Sequence, residues 1–580
     1  MCGLAAILAA ATAPRPVDAA ELVRIRDRMT ARGPDGAGLW LAEDGRVGLA
    51  HRRLSIIDLS DAGTQPLAST CGRYRIVFNG EIYNYRALRA ELEAAGVAFH
   101  SHTDTEVVLE LYRRHGRDCL GRLRGMFAFA LWDADRGGLL LARDPFGIKP
   151  LYIADDGKTL RVASQVKALL AGGAVDTASD PAGHAGFFLW GHVPEPHTLY
   201  RGIRALPAGS WLWAGAAGER TEGRFFDLRA ELAACSGPVT DLGEALRDSM
   251  RHHLVADVPV GVFLSSGLDS TLLAALAAEL SPQPPRSVTL GFAEFAGTAK
   301  DEVPLAEAVA AHYGTTHATV RVTAADFAAA RSQILDDMDQ PSVDGVNTWF
   351  VARAARQQGL KVALSGLGGD ELFAGYMDFR QIPRLAHAVA PLRLLPGLGK
   401  AVRMATAPWI GRVASPKLAG VLEWGGSFGG AYLLRRGMFM PWELDRVLDP
   451  DMARAGWREL KTAATLGGAV DGIGSDRLKV TALETAFYMR NQLLRDSDWA
   501  GMAHSLEIRT PLVDVGLFRA VIAATPLPGK RDMAATARPA LPPAVMEKPK
   551  TGFFVPVAEW LGEANLRGWA RRVHTEFASR

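Results

Sequence analysis

The 580-residue sequence has few cysteines, no excess of either charge and no long apolar run. Cys2, Cys71, Cys119 and Cys235 form no C-x-x-C pair, so neither a disulfide framework nor a structural zinc site is expected. A reducing cytoplasm is the expected location. With 65 basic and 63 acidic residues, the composition gives no electrostatic reason to expect nucleic-acid binding. No run approaches the roughly 18 apolar residues of a membrane span, so no membrane partner is expected either.

The N-terminal residues 1–13 are apolar enough to raise the alternative of a secretory signal, but no Lys or Arg precedes the apolar stretch. If only the initiator Met is removed, the Cys2 thiol lies beside a free α-amine, whose pKa is about 8. Such an amine can act as the general base for a thiol that attacks a carboxamide and forms a thioester. Taken alone, Cys2 also fits a small buried structural residue.

Hydrophobic patterning divides the chain into parts. Residues 1–210 contain short apolar runs broken by Gly, Asp and Asn, which predicts a strand-rich layered domain. Residues 211–240 have a weak pattern and predict a linker. Within residues 241–580, strand and helix patterns alternate along Val258–Leu264, Leu268–Leu280, Ser287–Phe292, Glu302–His312, His317–Val320, Val351–Gln358 and Lys361–Ser365. This alternation predicts an α/β fold with a parallel sheet that binds ligands beyond the carboxyl ends of its strands. Residues 381–475 give no assignment.

Five motifs follow Cys2 in the first part. They are R-G-P-D-G (Arg32–Gly36), H-R-R-L-S-I-I-D (His51–Asp58), F-N-G-E-I-Y-N-Y (Phe78–Tyr85), T-D-T-E (Thr103–Glu106) and R-D-P-F-G-I-K-P-L-Y (Arg143–Tyr152). Singly they are weak signals, since Asn-Gly alone could be a hairpin turn. As an ordered set with M-C-G they resemble the class II glutamine amidotransferase domain of the asparagine synthetases.

The resemblance implies an N-terminal αββα Ntn-hydrolase sandwich with Cys2 as the nucleophile. The Asn79 side chain and the Gly80 N–H would donate to the oxyanion of the tetrahedral intermediate. The carboxylate of the glutamine substrate would be held by Arg53, and its ammonium group by Glu81 and Asp104. Charge complementarity in an amino-acid pocket requires such pairings.

The segment S-S-G-L-D-S, residues Ser265–Ser270, lies at a predicted strand-to-helix turn. Backbone N–H groups and hydroxyls that converge at a helix N-terminus suit a phosphate or pyrophosphate, although a plain serine cap would look similar. No Walker motif occurs. The segment resembles the S-G-G-x-D-S pyrophosphate loop of synthetases that adenylate a carboxylate, with Ser266 in place of the first Gly. The members of this ATP and pyrophosphate site would be Ser265, Ser266, Gly267, Asp269 and Ser270.

A second segment, S-G-L-G-G-D-E-L-F-A-G-Y (Ser365–Tyr376), matches the asparagine synthetase pattern. Asp269 and Asp370 would end neighbouring strands, where two carboxylates can hold Mg²⁺ against the ATP phosphates. Asp370 could also merely cap a helix. The family resemblance adds backbone contacts to adenosine from Leu264, Leu290, Ser365 and Gly366.

Further matches carry the resemblance over nearly the whole chain. They are D-Q-P-S-V-D (Asp339–Asp344), L-L-R-D-S-D (Leu493–Asp498), M-A-H-S-L-E-I-R-T-P-L-V-D (Met502–Asp514) and K-P-K-T-G-F-F-V-P (Lys548–Pro556). In the last of these, Lys550 aligns with a lysine that family members use to stabilise charge on the α-phosphate. The implied C-terminal domain, residues 241–580, is an ATP pyrophosphatase with helical additions.

The sequence departs from the pattern at three positions. Leu367 stands where an acidic residue is common, Gln340 replaces a Glu, and Gln165 replaces the Glu of S-E-x-K-A-L. Leu367 and Gln340 are expected in or near the synthetase site, and they leave the acceptor open.

The expected activity is glutamine-dependent synthesis of asparagine from aspartate and Mg-ATP, with AMP and pyrophosphate as by-products. A homodimer is one assembly to be considered. The open alternatives are another carboxylate acceptor (a sugar acid, a peptide or another biosynthetic intermediate), an intramolecular amide-forming cyclase, or a non-catalytic regulator. The intact Cys2 disfavours the cyclase. Retention of Asp269, Asp370 and Lys550 disfavours the regulator.

Overall fold

A computed structural model describes residues 2–235, 241–395, 397–413, 415–549, 556–562 and 565–579. Its strands, in chain order, are β1 Gly3–Ala9, β2 Gly36–Leu41, β3 Val47–Arg53, β4 Leu67–Ala68, β5 Tyr74–Ile82, β6 Gly125–Asp133, β7 Gly138–Arg143, β8 Tyr152–Asp155, β9 Thr159–Ala163, β10 Arg204–Ala205, β11 Ser210–Gly215, β12 Arg220–Arg224, β13 Val260–Phe263, β14 Arg286–Phe292, β15 Thr316–Val322, β16 Val362–Leu364 and β17 Glu507–Arg509.

The α-helices are α1 Ala19–Asp27, α2 Tyr85–Ala94, α3 Asp104–His115, α4 Val166–Gly172, α5 Pro181–Trp190, α6 Leu228–Ala234, α7 Leu242–His253, α8 Leu268–Leu280, α9 Val303–His312, α10 Ala324–Asp337, α11 Val346–Gln357, α12 Gly369–Leu372, α13 Asp378–Val389, α14 Leu398–Val413, α15 Val421–Trp424, α16 Phe428–Arg436, α17 Pro450–Leu460, α18 Thr462–Gly468, α19 Asp476–Leu483, α20 Arg495–Ala503, α21 Val515–Ala523, α22 Lys530–Ala534, α23 Pro543–Glu547, α24 Val557–Trp560 and α25 Leu566–Ala578.

Two antiparallel sheets, ordered β10-β8-β9-β1-β3-β2 and β12-β11-β7-β6-β5-β4, pack face to face in the N-terminal part. Strand β1 is buried along its whole length, because it lies in the middle of its sheet with one face on the other sheet and the other face under α1 and α4. Helix α3 packs on β5 of the second sheet. The predicted αββα sandwich is therefore confirmed.

Much of the predicted linker 211–240 belongs to this sandwich. Strands β11 and β12 form a hairpin on the edge of the second sheet, with β11 paired to β7, and α6 follows. The expectation of a linker at residues 211–234 was therefore wrong. The alternating Trp211 and Trp213 side chains were the signal for a strand, and the small residues that follow form only its turn.

The predicted parallel sheet is also confirmed, with the strand order β15-β14-β13-β16-β17. Helix α8 spans the predicted residues, whereas α11 begins at Val346, five residues before the prediction. Strands β13 and β16 are parallel neighbours, and the chain adds β14 and β15 on one side of them and β17 on the other, which makes their carboxyl ends the topological switch point of a doubly wound sheet. The two motif segments Ser265–Ser270 and Ser365–Tyr376 both follow these strands.

Helices α13 to α18 fill the region that the sequence left unassigned. Helix α17 packs on α5, whereas α13 and α16 pack on a long helical segment in which a π-helix, Glu484–Leu494, joins α19 to α20, and α14 packs on α15. π-Helical segments are frequent at functional sites. Within the described residues, no helix is long and apolar enough to span a membrane.

Candidate active sites

The first site lies between the two sheets of the sandwich, where β1 begins and β5 passes. The Cys2 N–H donates to Asn79 Oδ1 at 3.0 Å, and burial raises the pKa of the Cys2 thiol. Asn79 Nδ2 is buried and makes no hydrogen bond within the described residues. Gly80 has φ of 154°, and a Cβ there would lie 2.1 Å from the Met126 carbonyl oxygen, so only glycine fits. The structure thus brings Cys2 together with the predicted donors Asn79 and Gly80.

Arg32, from the R-G-P-D-G motif, ties this site to the other domain. Its Nε donates to the Cys2 carbonyl oxygen at 3.1 Å, and its two terminal nitrogens donate to the carboxylate of Asp498 at 2.6 and 3.1 Å. Asp498 lies on α20, and all these groups are buried. A bidentate Arg–carboxylate pair fixes direction as well as distance, so a synthetase-domain helix helps to position the backbone at Cys2.

The predicted glutamine-binding side chains surround the same space. Arg53 ends β3 and donates to the carbonyl oxygens of Asp58 and Ser60, the latter at 2.7 Å. Asp104 is the first residue of α3, and its Oδ2 accepts the Ile82 N–H at 2.8 Å. Burial raises the pKa of the Asp104 carboxyl to about 6, because removal from water disfavours the charged form.

This raised pKa predicts how glutamine use depends on pH. If Asp104 binds the substrate ammonium group, protonation below about pH 6 removes the attraction, so kcat/KM for glutamine should rise about tenfold between pH 5 and pH 7. The Asp104→Asn variant should have a lower kcat/KM with a flatter profile. Glutaminase assays across this range check the prediction, and an equal rise in the variant would exclude Asp104 as the titrating group.

Glu81 faces the other domain as well as the glutamine site. Its Oε2 lies 3.6 Å from Arg509 Nη2, and the Arg509 Nε donates to Glu507 Oε1 at 2.5 Å. Burial, followed by the nearby Glu507 charge, raises the pKa of Glu81. Arg509 also donates to the carbonyl oxygens of His253 and Val255, both at 2.7 Å. The sequence analysis did not assign Glu507 or Arg509, although both lie within a quoted motif.

The three-residue strand β17 therefore contacts both the predicted glutamine site and the predicted ATP site. While the Arg509 side chain reaches Glu81, its carbonyl oxygen accepts the N–H of Ser365, a predicted adenosine contact, at 2.8 Å. We predict that Arg509→Met raises KM for glutamine about tenfold or more, because Glu81 and Glu507 would be left buried without the cation between them. Arg509→Lys should recover part of the loss, and an unchanged KM in a folded Arg509→Met protein would contradict the prediction.

The second site begins with the loop after β13. Ser265 Oγ and Ser270 Oγ lie 2.8 Å apart, and the Gly267 N–H donates to Ser265 Oγ at 3.2 Å. These bonds close the loop at the N-terminus of α8. Leu264 lies just beyond the end of β13. Leu290 lies in β14, two residues beyond Val288, the last β14 residue that pairs with β13. The predicted loop members are therefore gathered at the switch point of the sheet, which suits an anionic group.

Two carboxylates and one lysine meet at this loop. Lys530 Nζ contacts Asp269 Oδ1 and lies 2.9 Å from Asp370 Oδ1, so one ammonium group reaches both predicted metal ligands. We name Ser365–Tyr376 the second loop. A Cβ at Gly369 would lie 2.4 Å from Asp269 Oδ1, so only glycine fits where the second loop passes the loop Ser265–Ser270. Because the carboxylates converge on one cation and offer only oxygen donors, they fit Mg²⁺.

Lys548 connects the C-terminal motif to the same loop. Its Nζ contacts Ser266 Oγ and lies 2.6 Å from Glu302 Oε1. Ser266, the departure from the usual Gly, thus gives this lysine a partner. Lys550 lies outside the described residues.

A buried polar cluster lies next to Asp370. Tyr376 OH donates to Glu371 Oε1 at 2.8 Å, and the Arg436 guanidinium lies over the rings of Tyr376 and Tyr488 while its Nη2 is 2.9 Å from Glu484 Oε2. Burial raises the pKa of Glu371 to about 7 and that of Glu484 to about 8. We name these five residues the acceptor cluster. Arg436, Glu484 and Tyr488 belong to the helices that the sequence left unassigned or to the π-helix.

Comparison with known proteins finds one family model for each of the two domains. A family model described as "Glutamine amidotransferase domain" matches residues 1–226, and one described as "Asparagine synthase" matches residues 241–579. The chain belongs to the glutamine-hydrolysing asparagine synthetase family. It is accordingly an ATP-dependent enzyme of the amidotransferase type.

Relatives of this family cover much of the chain. The Bacillus subtilis "Asparagine synthetase [glutamine-hydrolyzing] 1" is 31% identical, over 99% of this chain and 90% of its own length. The Escherichia coli "Asparagine synthetase B [glutamine-hydrolyzing]" is 35% identical over 63% and 62% of the two chains, and "Amidase chry2" of Gibberella zeae is 32% identical over 62% and 56%. Proteins with different names thus share this sequence pattern.

Two departures from the asparagine synthetase pattern lie away from the acceptor cluster. Gln340 is buried, and its Nε2 donates to Tyr152 OH on β8 at 2.9 Å, so it belongs to the interface between the domains. The neighbouring Asp339 accepts the N–H groups of Val166 and Lys167, directly after Gln165, both at 3.0 Å. The expected position of Gln340, in or near the synthetase site, stays a prediction: its side chain contacts Tyr152, while Ser342, two residues further on, donates to Asp496 of the synthetase domain. Leu367 does lie in the second loop, between β16 and α12.

Proposed function

We propose that this enzyme makes asparagine: it hydrolyses glutamine at Cys2, adenylates aspartate with ATP at the switch-point loop, and joins the released ammonia to the adenylate. The observation that carries the choice of aspartate is the excess of carboxyl groups in the acceptor cluster. The ammonium group of an acceptor would be stabilised there, whereas a simple dicarboxylate would gain no such interaction.

The glutaminase half uses residues that already face one space. Cys2 attacks the glutamine carboxamide, and Asn79 Nδ2, which has no partner within the described residues, donates with the Gly80 N–H to the oxyanion. Arg53 would bind the substrate carboxylate, and Glu81 and Asp104 its ammonium group. Ammonia leaves, and water hydrolyses the thioester to glutamate.

The synthetase half activates a carboxylate that is otherwise a poor electrophile. The aspartate side-chain carboxylate attacks the α-phosphorus of ATP, pyrophosphate leaves, and ammonia then displaces AMP from the acyl group with loss of a proton. The loop Ser265–Ser270 would bind the pyrophosphate, Leu264, Leu290, Ser365 and Gly366 the adenosine, and Lys550 the α-phosphate. Asp269 and Asp370 would hold Mg²⁺, which neutralises phosphate charge when bound. Lys530 adds a further positive charge at the same point.

Two more carboxyl groups support an ammonium-bearing acceptor. Asp496 accepts from Ser342 Oγ and Trp499 Nε1, both at 2.7 Å, and burial followed by the charge of nearby Asp344 raises its pKa to about 7. Asp344 is also close enough to influence Tyr488 of the acceptor cluster. A bound ammonium group would relieve the repulsion between these acids.

The experiment is to measure AMP formation with ammonia, ATP and either aspartate or succinate, which lacks only the amino group. A site built to bind an ammonium group should favour aspartate by at least about 100-fold in kcat/KM. Glu371→Gln should reduce that preference while glutamine hydrolysis at Cys2 stays unchanged. Equal use of both acids, or use of neither, would overturn aspartate as the acceptor.

A second candidate is the same chemistry on another carboxylate. It is favoured by Leu367, which replaces a common acidic residue in the second loop, and by relatives such as "Amidase chry2" and "Amidase chyE" of Penicillium rubens. In that case Leu367→Glu should improve AMP formation with aspartate, because it adds a carboxylate for the ammonium group. A panel of sugar acids and peptides in the same AMP assay tests this candidate directly.

A further inference from the structure

Exposed apolar side chains concentrate on one part of the helical additions. Of the twelve large apolar side chains that are exposed in the described part of the chain, seven lie between residues 392 and 418: Leu392, Leu394, Leu395, Leu398, Met404, Trp409 and Leu418. Leu394 is 83% exposed and Trp409 67% exposed. Singly exposed apolar residues are ordinary, but a concentration of this kind marks an interaction surface.

Helix α14 presents these residues as a stripe. Leu398, Ala401, Met404, Ala405 and Trp409 are exposed at spacings of three and four, whereas Val402, Thr406 and Ile410 are half-buried. The apolar stripe of α14 therefore faces solvent, the reverse of the usual arrangement for a helix on a globular surface.

The surrounding chain is basic throughout. Residues 379–422 contain seven Lys or Arg residues and no Asp or Glu, although the protein as a whole is nearly balanced. Arg380, Arg384, Arg393 and Lys400 are exposed, whereas Arg403 pairs with Glu423 just outside the stretch. We name the seven apolar residues and these four exposed cations the insert surface.

We propose that the insert surface binds peripherally to an anionic phospholipid bilayer. Exposed Leu, Met and Trp side chains flanked by Lys and Arg are the combination that places a helix at a membrane interface. Like charges would oppose pairing with a second copy across the same face. A side chain as exposed as Leu394 would need a matching pocket on a protein partner, whereas a fluid bilayer adapts to it. The expectation of no membrane partner was drawn from the absence of an apolar run long enough to span a bilayer, and peripheral binding does not need such a run.

Vesicle co-sedimentation of the full-length enzyme tests the proposal. Binding to vesicles of equal phosphatidylglycerol and phosphatidylcholine should exceed binding to pure phosphatidylcholine at least tenfold, and 0.5 M NaCl should weaken it. Leu394→Ser/Leu395→Ser/Met404→Ser and Arg393→Glu/Lys400→Glu should each lose binding. The matched control Leu39→Ser/Leu41→Ser, which removes exposed leucines of β2, should bind like the unmodified enzyme.

Each alternative has its own outcome. Equal binding by the insert-surface variants, or no binding to anionic vesicles, overturns the proposal. Retention on immobilised polyglutamate without vesicle binding would assign the surface to an acidic protein. A dimer in light scattering that the apolar variant dissociates would assign it to a second copy. Glutaminase activity, which should be unchanged in every variant, reports that the proteins are folded.

Discussion

Replacing Cys2 by alanine is expected to abolish glutamine-dependent amide formation while ammonia-dependent AMP formation continues. The reason is that the thiol lies between the two sheets of the sandwich beside Asn79, whereas the ATP loop follows β13 of a different sheet. Without the nucleophile, no thioester can form and no ammonia is released. Side-by-side assays with glutamine and with ammonium chloride measure the two activities.

The control for this experiment is Cys71→Ala, which removes an exposed thiol from the same domain. It should leave both activities intact. Glutamate production by the Cys2→Ala protein at the unmodified rate would contradict the nucleophile assignment. Loss of the ammonia-dependent reaction would instead show that the substitution disturbs the interface, where Arg32 links the Cys2 carbonyl to Asp498.

Asp269→Asn is expected to reduce AMP and pyrophosphate formation at least 100-fold, even with ammonia supplied. Asp269 and Asp370 converge on the ammonium group of Lys530, so the substitution removes half of the negative charge that would hold a divalent cation at the loop. Glutamine hydrolysis should continue, because in the described part of the chain no hydrogen bond or ion pair joins Cys2, Asn79, Arg53, Glu81 or Asp104 to this loop. Release of pyrophosphate and AMP by the purified variant is the measurement.

Asp532→Asn provides a matched control, because Asp532 lies two residues from Lys530 and accepts the Gly529 N–H at 2.7 Å, a bond that asparagine can keep. It should retain synthetase activity. If Asp269→Asn also retains it, Asp269 has no part in binding the metal or the phosphates.

Much of the fold could be predicted because local pattern and tertiary structure agree. The apolar run that became β13 and the helical spacing that became α8 are both dictated by burial against a single sheet. The hairpin β11–β12 was missed because its turn is rich in Gly and Ala. Helices such as α13, α16 and α18 were missed because they pack on α5 and on the segment that contains the π-helix, contacts that no local pattern indicates.

The site followed a similar rule. Residues within a contiguous motif, such as Asn79 and Gly80, could be assigned, and the structure brings them to Cys2. Lys530 and Arg436 were missed because their ion-pair partners Asp370 and Glu484 lie 160 and 48 residues away in sequence. Arg509 was overlooked because its role depends on Glu81 in the other domain, 428 positions earlier in the sequence. The contact of Gln340 with Tyr152 could not be predicted, because a motif in the sequence does not fix which domain each of its side chains faces.

The most direct test of the central claim uses glutamine labelled with ¹⁵N at the amide, together with aspartate, ATP and Mg²⁺, and mass spectrometry of all products. The account predicts asparagine carrying the label, formed in equal amount to AMP and pyrophosphate. Labelled ammonium with no labelled amide and no AMP, or ADP and phosphate in place of AMP and pyrophosphate, would contradict it.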